Sequence, residues 1–312
     1  MRTGSLPCSP PSGRRRGVVL ISVLLVSVFL VTASLGFAMF TRRTMKRLDR
    51  ERRMFTARMA SEVVMDAAKM LLSLHPGRSH SPLDEQFAER VFDFPDAGVS
   101  VTMTIEPLDD KIPINRLFLP DGKTLRRELE VPWESIWTAA SAEYLASVVL
   151  DFIDEDSEPR LGGEERPDFL NRPILSLEEL LLVPGMTPDL LYGYGGRPGL
   201  DSLLTVWSSG RINANTAPAE VLSILEGLDG RLAGRIVAGR AETTLESIMD
   251  LAQISGLPSD AAPKLMNLIS FRSDWFSATF KVAFEDGEVL VFRGILNGKP
   301  FQWKTVRWEE PV

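Results

Sequence analysis

The densest group of ionisable side chains lies between Leu150 and Glu165, LDFIDEDSEPRLGGEE. Asp154, Glu155, Asp156, Glu158, Glu164 and Glu165 crowd one turn around Pro159 and Gly162-Gly163. Like charges this close repel in a folded loop unless a cation offsets them. Carboxylate oxygens beside flexible glycines are the hard donors that suit Ca2+, which takes ~6–8 oxygen ligands. The EF-hand register is absent, so a calcium loop and a solvated acidic loop both stay open on spacing alone. Paired carboxylates could also cleave a glycosidic bond, but no aromatic-lined cleft is legible around them.

Other chemistry is sparse. The single cysteine, Cys8, excludes an internal disulfide and a thiolate metal cluster. The two histidines, His75 and His80, read as helix-end and loop residues. No nucleophile elbow or phosphate loop occurs, so no catalytic residue is assigned. The six tryptophans read as core anchors.

The stretch Arg211–Ile236 is the remaining motif, and it resembles a helix-hairpin-helix. Asn215 or Thr216 is placed to cap a helix, with Pro218 in its first turn and Glu220 completing a capping box. Such hairpins often clamp DNA phosphates. Here Glu226 and Asp229 stand where a phosphate would approach, and residues 207–272 hold six basic against seven acidic residues. Backbone binding needs clustered Lys and Arg, so the hairpin is read as a packing unit and nucleic acid is excluded as a partner.

The elements that position these residues begin with a membrane segment. Val18–Phe40 is a run of 23 uncharged residues, enough for a hydrocarbon core of ~30 Å. It passes straight into Thr41-Arg42-Arg43 with no small-residue cleavage site behind it, unlike a secretory signal. Beyond it, apolar residues from Met45 to Leu74 recur at helical spacing, so one helix is expected over 18–75. Residues 1–58 carry twelve basic and two acidic residues, or +10, and the other 23 basic and 40 acidic residues leave −17. A basic, anchored start on an acidic body suggests an exported head. Charge bias alone would keep the arginine-rich flank, Arg42 to Arg58, in the cytoplasm.

The 312 residues of the chain allow about two domains. Val99–Ile105, Ser277–Glu285, Val289–Leu296 and Gln302–Trp308 read as strands, with Asp286-Gly287 and Asn297-Gly298 as hairpin turns. Asp109-Asp110-Lys111 reads as a turn. Between the strand groups, Trp133–Ile153, Ser176–Val183 and Ala217–Leu225 have helical period. A helical block that splits an antiparallel sheet is an insertion. It repeats internally: Ser176–Met186 aligns with Ser247–Leu257, and Lys111–Asn115 with Arg211–Asn215.

Arg14-Arg15-Arg16-Gly17, the apolar helix and its amphipathic extension resemble the N-terminus of type IV pilins and pseudopilins. DKIPINRL (110–117), DFIDEDSE (151–158), SLEELLLVPGMTPDLLY (176–192) and GRINANTAPAEVL (210–222) extend the match. In this order they are similar to the general secretion pathway protein K family, minor pseudopilins of the type II secretion system. The resemblance implies an α+β fold: a pilin-like long helix on an antiparallel sheet, with an inserted all-α domain of two helix-hairpin-helix (SAM-like) units. The segments implied are a leader at 1–17, the helix at 18–75 with its span at 18–40, sheet residues at 76–116 and 273–312, and the insertion at 117–272. The two units would meet near residue 206.

It also implies a non-enzymatic subunit at the pseudopilus tip, held in the inner membrane with its head in the periplasm. Prepilin peptidase would cut between Gly17 and Val18, and methylation of the new N-terminus is implied. The partners implied are the I and J minor pseudopilins, the major pseudopilin and, in addition, secreted substrates. At the fifth mature position most pilins carry Glu, whereas this chain has the uncharged Ser22, a missing charge that also resembles this subunit. The family binds calcium in its helical domain. Carried over, Asp154, Asp156 and Glu164 are the leading ligands, with Glu158 and Glu165 beside them. Phe152 stands where Trp is common, and Gly163-Glu164 where Ala-Glu is common. A minor pilin of a type IV pilus and a membrane-anchored DNA-uptake protein are the alternatives.

Overall fold

The computed structural model describes residues 13–74, 79–258 and 261–311. Cys8, His75 and the first twelve residues of the expected leader lie outside them. Helix α1 runs Gly13–Leu74 and carries Gly17 and Val18 in its helical backbone. The chain divides into two compact units, one ending at Arg58 and one beginning at Met59. In the first, side chains from Val19 to Phe40 are exposed, and among the described residues one helix is long and apolar enough to cross a membrane.

The second unit is built on a sheet. After α1 come β1 (Arg90–Phe94), β2 (Val99–Pro107), the short β3 (Ile112–Pro113), α2 (Arg127–Ala139) and α3 (Leu145–Ile153). Next are α4 (Pro188–Tyr192), β4 (Gly193–Tyr194), β5 (Arg197–Pro198), β6 (Leu204–Thr205) and β7 (Ile212–Asn213). The chain ends with α5 (Ala219–Ser223), α6 (Gly230–Arg240), α7 (Ile248–Ser255), α8 (Ala262–Leu265), β8 (Ile269–Ser270), β9 (Trp275–Phe284), β10 (Val289–Asn297) and β11 (Lys304–Glu309).

The five-stranded antiparallel sheet has the order β1-β2-β9-β10-β11. In β2, Val99, Val101, Met103 and Ile105 point inward on alternate positions, the period of a half-buried strand. Met103 and Phe292 both stand opposite Phe280 in the register. The last turns of α1 cover this sheet. Ala60, Val64, Met65, Ala68 and Leu72 are buried at helical spacing. The terminal methyl of Met65 reaches over Gly294, where a Cβ would sit 1.9 Å from the Met65 Cε, so the helix packs closely on β10. Trp308 stands opposite Gly294 and stacks on Phe280 with ring centroids 5.8 Å apart.

Neighbours β2 and β9 are separated in sequence by the whole insertion. Its core takes in Ile112 and Ile114, so it begins a few residues before the expected 117. Asp109 ties its two ends to the sheet. The buried carboxylate accepts from the hydroxyls of Ser208 and Ser209 and the N–H groups of Ser209, Asp274 and Trp275. Burial pushes its pKa up against these donors. Beside it, the His80 Nδ1 accepts from Ser273 N–H at 3.0 Å, and burial with the Arg272 charge pushes its pKa down to about 4.

The repeat is visible in matching hydrogen bonds. β3 pairs parallel with β6, and β7 pairs parallel with β8. Asn115 donates to the carbonyls of Ile174 and Val206 and accepts from Ile174 N–H. Asn215 donates to Leu245 and Phe271 and accepts from Leu245 N–H. The Thr205–Trp207 turn is repeated by Ser270–Arg272. Equivalent residues doing equivalent work in both halves is the mark of duplicated units.

Several local expectations are corrected. Trp133–Ile153 is two helices, parted where Ser141 takes φ 53. Ser176–Val183 forms a 3-10 helix, Leu177–Leu182. The N-cap of α5 is Pro218 with no side-chain cap, because Asn215 is spent inside the fold. The capping box occurs instead at Ser247 and Asp250 on α7. Asp286-Gly287 does turn the β9–β10 hairpin, with Gly287 at φ 89, whereas β10 and β11 are joined by a longer loop in which Phe301 takes φ 67.

Candidate metal centre

Helix α3 sets the acidic loop in place. Its apolar residues bury it, and the last turn carries Asp151 inward with them. The Asp151 side chain is fully buried and organises the loop that follows. It accepts from Arg160 N–H at 3.1 and 3.3 Å and from Glu164 N–H at 2.9 Å. A Cβ at Gly163 would lie 1.9 Å from the Asp151 Oδ2, so the loop closes over this carboxylate only with glycine there.

Asp154 is the C-cap of α3, with a side chain 1% exposed. Its Oδ2 accepts from Arg160 Nη2 at 2.8 Å, while its Oδ1 is buried without a hydrogen-bond partner. The Glu165 Oε1 is likewise buried and unpartnered. Asp156 accepts from Glu158 N–H at 2.9 Å. One oxygen each from Asp154, Asp156 and Glu165 lies within 4.8 Å of the other two.

The electrostatics call for positive charge. Burial pushes the Asp154 carboxyl up to about 6, against the hydrogen bond from Arg160. Burial also raises Asp151, and it raises Glu165 together with the neighbouring charges of Asp154, Asp151 and Asp156. Arg160 pairs with Asp151 and Asp154, at 3.4 and 2.8 Å, so the four carboxylates of Asp151, Asp154, Asp156 and Glu165 with this one guanidinium sum to a formal −3. Arg160 is held in turn by the Lys123 carbonyl and by the Phe118 ring, 5.2 Å from its Cζ. An all-oxygen set with two orphaned buried atoms fits a hard divalent cation, because unpaired buried charge is costly.

Of the five carboxylates singled out from the sequence, the structure brings together Asp154, Asp156 and Glu165. Glu164 points away and pairs with Arg166 Nε at 2.5 Å. Glu158 is exposed and contributes its backbone N–H, not its carboxylate. Asp151 was not singled out. Its signal was its place three residues before Asp154, which puts both on one side of the same helix end.

The hairpin of α5 and α6 has the glycine turn but not the charge. Gly227 takes φ 93 and lies against Ala261. Asp229 Oδ1 already accepts from Leu232 N–H at 2.7 Å at the start of α6, and Glu226 pairs with Lys264 at 2.8 Å. An anion approaching this helix start would meet a carboxylate. Ser22 is exposed on α1.

Comparison with known proteins agrees with this architecture. Residues 212–272, the second repeat, match the family model of type II secretion system protein K. The type II secretion system protein K of Dickeya chrysanthemi is 27% identical over 160 residues, which are 47% of this chain and 43% of that protein. The matched stretch thus spans less than half of that relative. A chain in the crystal structure of the GspK-GspI-GspJ complex of enterotoxigenic Escherichia coli has the same fold. The TM-score is 0.68 at 17% identity, over 85% of this chain and 99% of that one. Long helix, split sheet, duplicated insertion and these matches together identify the chain as similar to protein K, the minor pseudopilin of the type II secretion system.

Proposed function

We propose that the chain is the minor pseudopilin at the tip of a type II secretion pseudopilus, where it nucleates the filament that drives protein export across the outer membrane. The observation that carries this reading is architectural. The fold of a protein seen in complex with GspI and GspJ extends over 85% of the chain, insertion included. A large domain inserted between β2 and β9 would collide with a subunit stacked above it, so it favours a terminal place. Ser22, where most pilins have Glu, has no charge to offer the N-terminus of a subunit above.

In this reading the span at 18–40 anchors the chain in the inner membrane and the head lies in the periplasm. Prepilin peptidase cuts after Gly17. The I and J minor pseudopilins are its immediate partners, the major pseudopilin follows, and secreted substrates meet the tip. The subunit does no catalysis. Calcium binds at Asp154, Asp156 and Glu165 and steadies the loop that Asp151 organises. It supplies the positive charge the loop lacks, while Arg160 holds the outer oxygen of Asp154. Co-expression with the I and J subunits tests the tip assignment. The detergent-extracted chain should elute with both through gel filtration, and elution alone at micromolar concentration would reject it.

A further inference from the structure

Helix α1 crosses from its apolar to its basic segment without a break. Thr41 and Thr44 return their hydroxyls to the carbonyls of Phe37 and Phe40, at 2.9 and 3.0 Å. The register of the basic side chains is therefore fixed relative to the span. At about 100° per residue, Arg42, Arg43, Lys46, Arg47, Arg50 and Arg53 fall within an arc of roughly 140°. Met45, Leu48 and Phe55 lie on the opposite side. Asp49 and Glu51 flank the basic arc and take up Arg53 and Arg47, at 3.2 and 2.8 Å. Arg42, Arg43 and Lys46 are exposed and have no acidic partner among the described residues.

Depth decides what these three can reach. At ~1.5 Å rise per residue Arg42 and Arg43 lie about 3–5 Å past Phe40, inside the headgroup layer, and Lys46 about 9 Å past it, at the layer's edge and near one Debye length. The cations from Arg50 onward stand about 15 Å or more beyond that edge. Resting on the reading of residues 18–40 as a membrane span, we propose that Arg42, Arg43 and Lys46 form a collar that binds anionic phospholipid headgroups. The leaflet is the one from which the helix emerges toward the head. The chemistry is matched on both sides: guanidinium forks and an ammonium on long flexible stems meet phosphodiester oxygens. Each such cation near an anionic surface contributes about fivefold in binding. The collar also accounts for a basic flank of this density on the side opposite to the one charge bias would choose.

The test is lipid selectivity of the full chain in bilayers of phosphatidylcholine with a fraction of phosphatidylglycerol. Spin-labelled versions of the two lipids report association with the protein. The wild-type chain should prefer phosphatidylglycerol by about fivefold or more. The triple variant R42Q/R43Q/K46Q should lose most of that preference, and so should the wild type in 0.5 M salt, a concentration at which the Debye length is ~4 Å. The double variant R50Q/R52Q should keep it. Equal preference in the wild type and the triple variant would overturn the proposal. Loss of the preference in millimolar inorganic phosphate would overturn it too, by showing a site for free anions. Failure of the chain to insert into either bilayer would remove the span beneath it, a different failure from insertion without selectivity.

Discussion

Asp154 has a carboxyl whose pKa in the folded chain is about 6, above its ordinary value. A raised acid pKa means that the native state holds the proton more tightly than the unfolded chain. The resulting stabilisation is complete below the ordinary carboxyl range and is lost as pH rises through about 6. In chelator the melting temperature should therefore be higher at pH 5 than at pH 7. A millimolar calcium salt should raise it at pH 7 and remove most of that slope, since cation and proton compete for the same oxygens. D154N should flatten the slope and abolish the calcium response, and E165Q should weaken the response. A melting temperature at pH 7 that ignores calcium would count against the centre. Asp109 is the contrasting carboxylate, satisfied by protein donors alone. D109A would orphan five of them, at a cost of about 3 kcal/mol or more, read as a lower urea midpoint at unchanged m. The acidity of 154–165 was legible in the sequence, but the choice among its carboxylates was not. Glu164 and Glu165 are adjacent, and only the fold shows that the first turns out to Arg166. Asp109 read as a turn residue because its donors arrive from 99 or more positions away.

At the level of elements, period-two and helical spacing located the main pieces. β2, β9 and β10 lie within two residues of their expected bounds; β2 alternates cleanly, and β9 and β10 are rich in aromatic and β-branched residues and joined by the Asp286-Gly287 turn. β1 escaped notice because Arg90–Phe94 is a short edge strand with no fully buried residue. The expected cap at Asn215 failed because a tertiary hydrogen bond to Leu245 outcompeted a local one. Helix α1 meets the sheet where the end of the Met65 side chain lies over Gly294. G294A would push the flexible end of Met65 aside and should cost no more than about 1 kcal/mol by thermal or urea unfolding. Shortening the partner, M65A, should restore part of that loss in the double variant, a coupling that a double-mutant cycle reads directly. Independent, additive losses would show that this close approach does not limit the packing.

The whole molecule is a duplicated helical insertion set into a sheet of five strands, with a membrane-length apolar segment ahead of it. Its two repeats were legible only as two pairs of similar strings. Their kinship is carried by Asn115 and Asn215, whose matching partners lie 59 and 91 residues on in one unit and 30 and 56 in the other. Unequal loop lengths hide such a relation from a fixed-period search. The long apolar helix, by contrast, was legible at once, because a run of this length without charge has few other uses. In the pseudopilin reading that helix enters the membrane as a processed pilin-class segment. Mass spectrometry of the protein extracted from membranes, with and without an active prepilin peptidase, decides it. The pseudopilin account predicts a chain beginning at Val18 when the peptidase is present and at Met1 when it is absent. A chain beginning at Met1 in both would contradict it.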